Sequence, residues 1–405
     1  MSTASSSRYL GQRIGERDAV ISGIGRSQVG RKLGRTGLSL TVEAALQAIE
    51  DAGLTRDDID GLATYPGLMN SSPGMSPCGV SDVQDALRLR LNWYSGGGEV
   101  PAQLGAVFNA VAAVAAGLAN HVLVFRTVTE SSAQTATRRA SVVGSGADRV
   151  GGVMQWMVPF HAVSAANWIG VYAQRYMHDH GLTREQLAQI PLNQRRHAAL
   201  YDKAIFRDPL TMDDYLNARM VSYPLGLFDC DIPCDGSCAV IVSRADAAPD
   251  LKQVVRIEAI GSALTGRNSW DQRDDLTETA AHDCVPMMWA RTDLTIDDVD
   301  TLQLYDGFSF LTITWLEALG LFPKGEAGPW LEAGESRIGL GGQIPLNTNG
   351  GQLSGGRLHG YGYLYEACAQ LRGDATGRQV DGAEVAVVGA GGGPLGGCML
   401  LTKDR

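Results

Sequence analysis

Hydrophobic positions along the chain fall into short apolar runs separated by stretches with helical spacing. Residues 18–25 (DAVISGIG) and 254–261 (VVRIEAIG) read as strands. The first leads to LTVEAALQAIEDAG, where Val42, Ala45, Leu46 and Ile49 recur at three- and four-residue steps, one face of a helix. The second leads to TETAAHDCVPMMWA, also helical. A Thr-x-x-Asp turn and a short strand follow each helix. Thr55 with Asp58, and Thr295 with Asp298, have capping-box spacing. Further along, FNAVAAVAAGLANHVLVF and the pair YLYEACAQLRG and AEVAVVGAGGG read as helix then strand. Alternating strands and helices predict parallel pairing with helices on both sheet faces.

The two series are copies of one another. Residues 54–67 read LTRDDIDGLATYPG and residues 294–307 read LTIDDVDTLQLYDG, with eight identities from Leu54/Leu294 to Gly67/Gly307. Two like halves predict a pseudo-twofold stack of α/β layers. Residues 128–220 have no counterpart in the second half. They carry the Gly- and Ser-rich VVGSGADRVGGV and a capping box at Thr211 that opens a short helix through Met220. Long excursions of this kind are usually functional, so this segment is expected to cover the active face. The expected boundaries are an N-terminal tail at 1–17, a first half at 18–127 and 221–245, an inserted lid region at 128–220, and a second half at 250–405.

Composition sharpens this picture. The 405 residues include 50 glycines, against a usual share of ~7%. Of these, 18 lie between Gly339 and Gly397, in loops that border helices and strands. Such loops present free amides and positive helix ends, which suit an oxyanion, an enolate or a phosphate. The net charge of −10, with no run of basic residues, argues against nucleic-acid binding. Seven cysteines are an odd number for a disulfide scaffold. The spacing of Cys230, Cys234 and Cys238 is not a zinc spacing, so no metal site is expected. The N-terminal MSTASSSRYLGQRIGERD has no apolar core of the signal-peptide kind and no run reaches the ~18 apolar residues of a membrane span, so a soluble cytoplasmic protein is expected. Neither a strand-borne GxGxxG nor a GxxxxGK[ST] occurs, which argues against dinucleotide or ATP binding.

Taken together, the duplicated half, the DGSCAVIV strand, LYDGFS, the NTNGG loop and the terminal GAGGG resemble the thiolase superfamily, in its sterol-carrier and lipid-transfer-protein-like branch. The resemblance spans about Asp18 to Lys403. It implies an α/β fold with duplicated βαβαβαββ halves in a five-layer αβαβα arrangement, with an inserted loop domain. Thiolases use a first-half cysteine nucleophile, a Gly-His-Pro histidine and a second cysteine before a terminal GGG. This sequence departs from that pattern at each place. No cysteine lies between 79 and 229; Glu99, Val100 and Pro101 stand near the nucleophile's loop; Arg357 falls on the histidine and Gly389 on the second cysteine. Thiolysis through an acyl-enzyme needs a thiolate. A retained glycine cradle without cysteines resembles the steroid side-chain-cleaving acyl-CoA aldolases of this superfamily.

That resemblance implies retro-aldol cleavage of a β-hydroxyacyl-CoA, with the CoA thioester as substrate and no separate cofactor. It further implies a homodimer and a small OB-fold, zinc-ribbon partner. Retro-aldol chemistry needs a base for the β-hydroxyl, donors for the enolate and an acid for its carbon. Tyr305, His359, Arg357 and Tyr361 are the candidate catalytic residues, with Tyr305 activated by Arg357 or His359. Gly391, Gly392, Asn349 and Gly351 are the candidate oxyanion and thioester-binding residues. Asp306, His161 and Glu99 are expected to line the substrate path. Tyr65, the repeat mate of Tyr305, reads as a packing residue. The alternatives are a thiolase-like acyltransferase and a non-catalytic acyl-CoA or lipid binder.

Overall fold

The computed structural model describes residues 15–69, 72–134, 154–266 and 273–404. Most of the predicted N-terminal tail and the run VVGSGADRVGGV lie outside these residues. Eleven strands are formed: β1 (Ala19–Arg26), β2 (Gly61–Thr64), β3 (Trp93–Gly96), β4 (His121–Thr129), β5 (Met220–Ser222), β6 (Leu225–Gly226), β7 (Asp235–Arg244), β8 (Val255–Gly261), β9 (Thr301–Leu304), β10 (Val385–Gly391) and β11 (Gly396–Lys403). Nine of them make one mixed sheet in the order β3-β2-β4-β7-β1-β8-β11-β10-β9, and β5 and β6 form a separate ribbon.

The repeat is visible in this order. Reading outward from the β1–β8 junction, β1, β7, β4 and β2 are mirrored by β8, β11, β10 and β9. Within the sheet, the described strands of the two halves pair at two antiparallel positions, Val20 with Arg256 and Ile21 with Val255. Strand β3 lacks a full counterpart; its place beside β9 is held by a single parallel bridge from Leu346 to Leu302. The sheet therefore bends into two leaves, one per half.

Three apolar clusters alternate with the two leaves. Helices Gly105–Ala115 and Tyr361–Arg372 are packed between the leaves, in a core fed by strands of both halves. Helix Gly37–Asp51 covers the outer face of the first leaf. Helices Ala281–Trp289, Ser309–Leu319 and Ala165–His180 cover the outer face of the second. This is the expected αβαβα layering. The inserted segment contributes that last helix and a second, Gln189–Ala199.

Two glycines show how closely the layers fit. A Cβ on Gly25 of β1 would lie 2.0 Å from the Ala44 carbonyl oxygen, and one on Gly261 of β8 would lie 2.2 Å from that of Cys284. In each half the outer helix rests directly on strand backbone, which only glycine allows. The two capping boxes form as expected: the Asp58 carboxylate accepts from the Thr55 amide at 2.7 Å and Asp298 from the Thr295 amide at 2.8 Å. Each caps a single 3₁₀ turn. The short helix after Thr211 ends at Leu216, and Met220 begins a strand instead.

Candidate active site

The C-terminal ends of β2, β4, β9 and β10 converge on one side of the sheet. Parallel pairing of β2 with β4 and of β9 with β10 brings these ends together. A cavity of about 260 Å³ opens there. It is lined by Tyr65 and Tyr305, by Ala102 and Gln103, by Gly391 and Gly392, and by Ala165 and Ile169 of the inserted segment. The repeat mates Tyr65 and Tyr305 thus face one space. The expectation that Tyr65 only packs is corrected: each half sends the tyrosine after its second strand to the same cavity.

Each tyrosine has its own arginine. The Arg126 guanidinium lies 5.8 Å from the Tyr65 ring centre. Arg126 is fully buried near the end of β4, and its Nη2 donates to His359 Nδ1 at 2.9 Å. Among the described residues it makes no ion pair. Burial pulls its pKa down, while its charge pulls that of Tyr65 down against a larger rise from burial. Burial, then the charges of Arg126 and Arg357, hold His359 well below the usual histidine range. His359 is a neutral acceptor here and brings no positive charge to activate Tyr305. Tyr361 is also buried beside Arg126, and its hydroxyl has no hydrogen-bond partner among the described residues.

Arg357 stands in a different setting. Its Nε donates to Glu130 at 3.0 Å and its Nη1 to Asp231 at 2.9 Å. With two carboxylates on one guanidinium, the group carries a net negative charge when both are ionised. Arg357 is therefore engaged, and does not offer an open fork to a thioester oxygen or phosphate. Tyr305 feels this cluster. Burial raises its pKa, Asp231 raises it further, and Arg357 offsets only part of that rise. Tyr305 is consequently a neutral hydroxyl at pH 7. Asp231 is pushed up to about 7 by burial, against the pull of Arg357. It is the carboxylate of this cluster that changes charge near neutrality.

The glycine loops divide into two roles. Gly391 and Gly392 line the cavity. Gly391 has φ +93°, and a Cβ there would lie 2.4 Å from the Leu395 carbonyl oxygen and 2.6 Å from Ala102 Cβ. Ala102, at φ +48°, occupies the turn before the helix Gly105–Ala115 in a backbone conformation that alanine rarely adopts. Asn349 and Gly351 lie elsewhere. Asn349 Oδ1 accepts from the Gly351 amide at 3.0 Å, and both border a much smaller pocket beside His359 and Tyr363.

Asp306 is fully buried behind the cavity, not along it. Its Oδ1 accepts from the Gln352 amide at 2.7 Å and from the Tyr363 hydroxyl. Gly351 leaves it room, since a Cβ would lie 2.0 Å from its Oδ2. His161 is exposed at φ +55° and is not among the cavity residues. Glu99 is exposed in an adjoining groove that shares Leu395 with the cavity. No cysteine lines the cavity.

Residues 262–400 match the family described as Thiolase C-terminal domain-like. The steroid side-chain-cleaving aldolase of Thermomonospora curvata is 33% identical, over 96% of this chain and 98% of its own length. The chain belongs to the thiolase superfamily. The 17-hydroxy-3-oxo-4-pregnene-20-carboxyl-CoA lyase of Mycobacterium tuberculosis is 34% identical over 94% of this chain and 98% of its own. Among solved structures, the Ltp2-ChsH2(DUF35) aldolase superposes with a TM-score of 0.84 at 30% identity, covering 97% of this chain and all of that one. This thiolase-superfamily chain keeps the fold and the terminal glycine turn, and sets tyrosines around the space they enclose.

Proposed function

We infer that the chain is a carbon–carbon lyase that cleaves a β-hydroxyacyl-CoA by retro-aldol reaction. The observation that carries this is the cavity in which two tyrosines, and no cysteine, face the Gly391–Gly392 turn. The full-length similarity to two side-chain-cleaving relatives supports it. The β-hydroxyl proton leaves to a base, the C–O bond becomes C=O, and the Cα–Cβ electrons pass into the thioester enolate. A proton then returns to Cα. The products are a ketone and a shorter acyl-CoA.

The unequal charge beside the two tyrosines assigns the roles. Tyr305, next to the Arg357–Glu130–Asp231 cluster, relays the β-hydroxyl proton: its phenolic oxygen takes that proton as its own passes to ionised Asp231, which becomes neutral. Tyr65, next to unpaired Arg126, and the Gly391–Gly392 turn face the developing enolate. In this reading positive charge and the glycine turn stand beside the developing negative charge, the arrangement that lowers such barriers most. The two relatives' names support a substrate class: a CoA thioester whose β-carbon is a tertiary alcohol on a fused ring system. From 17-hydroxy-3-oxo-4-pregnene-20-carboxyl-CoA the products would be the 17-ketone and propionyl-CoA. Within the inserted segment, residues 154–220 act as a lid, with Ala165 and Ile169 closing one wall. In this reading the enzyme acts in the cytoplasm as a homodimer with a small OB-fold, zinc-ribbon partner; that the similar Ltp2-ChsH2(DUF35) aldolase is named as a two-component assembly supports a partner.

The test is direct. The chain, purified with and without a co-encoded small partner, is offered a β-hydroxyacyl-CoA with a fully substituted β-carbon. Ketone and shorter acyl-CoA are expected, and Tyr305→Phe and Tyr65→Phe should both lose them. Acylation of a cysteine during turnover would overturn the reading in favour of an acyltransferase.

A further inference from the structure

A second cleft, of about 380 Å³, lies on the other side of Asp231. Its apolar walls come from segments far apart in sequence: Phe206, Leu227, Phe228, Ile232, Pro233 and Leu353. Only a thin partition separates it from the tyrosine cavity. The Asp231 amide donates to the Gly307 carbonyl at 3.0 Å, and Cys230 bridges to Phe308. Asp231 itself lines the cleft, and it is the carboxylate whose charge acts on Tyr305.

One feature of these walls is out of place in an apolar recess. Arg195 is only 9% exposed. Its guanidinium lies 5.4 Å from the Phe206 ring centre and 5.8 Å from that of Phe228. It donates to Ser354 Oγ at 3.0 Å and to the Asp208 carbonyl at 3.1 Å. Among the described residues it has no carboxylate ion pair. A buried cation without a counter-ion is costly unless further acceptors reach it. An apolar cleft with a buried donor at its wall fits an apolar body that carries an oxygen acceptor. Arg31 also lines the cleft, its guanidinium 6.0 Å from the Phe206 ring centre, so the cleft has two arginines facing one carboxylate, and the apolar walls between them favour an apolar body over a polyanion.

We propose that this cleft holds the ketone-forming half of the substrate, a rigid fused-ring body whose remote carbonyl oxygen accepts from Arg195 and whose reacting end faces Asp231. This rests on the lyase reading and names what that reading leaves open, where the large group goes. The thioester half then occupies the tyrosine cavity, and the breaking bond lies at the partition. Leu227, 45% exposed, guards the outer edge.

The probes are androst-4-ene-3,17-dione, a ring ketone of this class, and coenzyme A, each titrated calorimetrically into the purified full chain with its partner. The wild type should bind both. Leu227→Trp, which narrows the cleft from an exposed position, and Arg195→Met should each weaken the ketone at least tenfold and change coenzyme A less than twofold. Retained coenzyme A binding shows that the variants are folded. Turnover adds a second readout. With 3-hydroxy-3-methylbutanoyl-CoA, which has no ring body and would give acetone and acetyl-CoA, both variants should match the wild type. With the ring substrate their KM should rise.

Ketone affinity that survives both variants, or no ketone binding by the wild type, overturns the proposal. So does selective loss of coenzyme A binding, which would make the cleft a nucleotide site. Ketone binding lost as expected, in a protein that cleaves no thioester, would leave the cleft assigned and the lyase reading refuted. Cleavage of the ring substrate with unchanged KM in both variants would do the reverse.

Discussion

Replacing Arg357 with methionine isolates the electrostatics of the site. The substitution leaves two carboxylates without their cation, and both are buried: the Glu130 side chain is 2% exposed and that of Asp231 7%. Removing one partner of a buried ion pair costs about 3–5 kcal/mol. Unfolding entropy is about 2.1 cal/mol/K per residue, which for a chain of this length makes the loss roughly 4–6 °C in melting temperature. The loss should depend on pH. In the wild type the Asp231 pKa in the folded state, about 7, exceeds the unfolded value of ~3.9. Its stabilising contribution is full below the unfolded value and is lost as pH rises through the folded one. Without Arg357 the folded value moves higher still. At pH 5 Asp231 is protonated in both proteins, so its charge adds nothing to the deficit there. At pH 8 the Asp231 part is added. Thermal melts of wild type and Arg357→Met at the two pH values should show the larger gap at pH 8. Adding Glu130→Gln to the variant should recover part of it. Equal deficits at pH 5 and 8, or no recovery in the double variant, would refute the reasoning.

Other outcomes follow from the same geometry. Tyr305→Phe should lower kcat by about 10²–10⁴-fold, the usual worth of a proton-transfer group, with little change in melting temperature. If ionised Asp231 takes up the proton, the rate should rise with pH through about 7, and Asp231→Asn should remove that limb from the pH–rate profile. Gly391→Ala places a methyl 2.4 Å from the Leu395 oxygen at φ +93°, so about 1–3 kcal/mol of backbone strain and loss of cleavage are expected, read by melting and product assay. Iodoacetamide at pH 7 should leave cleavage intact, because no cysteine lines the tyrosine cavity, and burial together with Asp229 and Asp231 holds the thiol of Cys230, which lines the second cleft, far above neutrality.

Much of the fold could be read from one repeat. The eight identities between 54–67 and 294–307 mark the turn and second strand of each half, and the mirrored strand order follows from them. The same repeat also marked the site, but it was read on one side only. Tyr65 looked like packing because a single copy gives no sign of where its ring points. Arg126 left a clearer trace: one charged residue in the apolar strand HVLVFRTVT, a place where an unsatisfied cation needs a reason. Asp231 lies between Cys230 and Cys234, in a stretch whose cysteine spacing speaks only to zinc. The partners of Arg357 could not have been found by spacing, since Glu130 and Asp231 are 227 and 126 residues away and come from different elements. His161 and Glu99 were placed by loop position, and loops are set by packing that sequence periodicity does not encode.

The near-symmetry of Tyr65 and Tyr305 creates a problem of direction. Two like phenols facing one space offer a thioester two ways to enter, related by the pseudo-twofold axis, and shape alone separates them poorly. The arginines break the tie. A lone cation behind one phenol and an anionic cluster behind the other turn the space into a polarised slot, so that an enolate forms in one sense and is opposed in the other. A duplicated scaffold can thus acquire a sense of left and right without altering the groups that touch the substrate, by changing only which charges stand behind them.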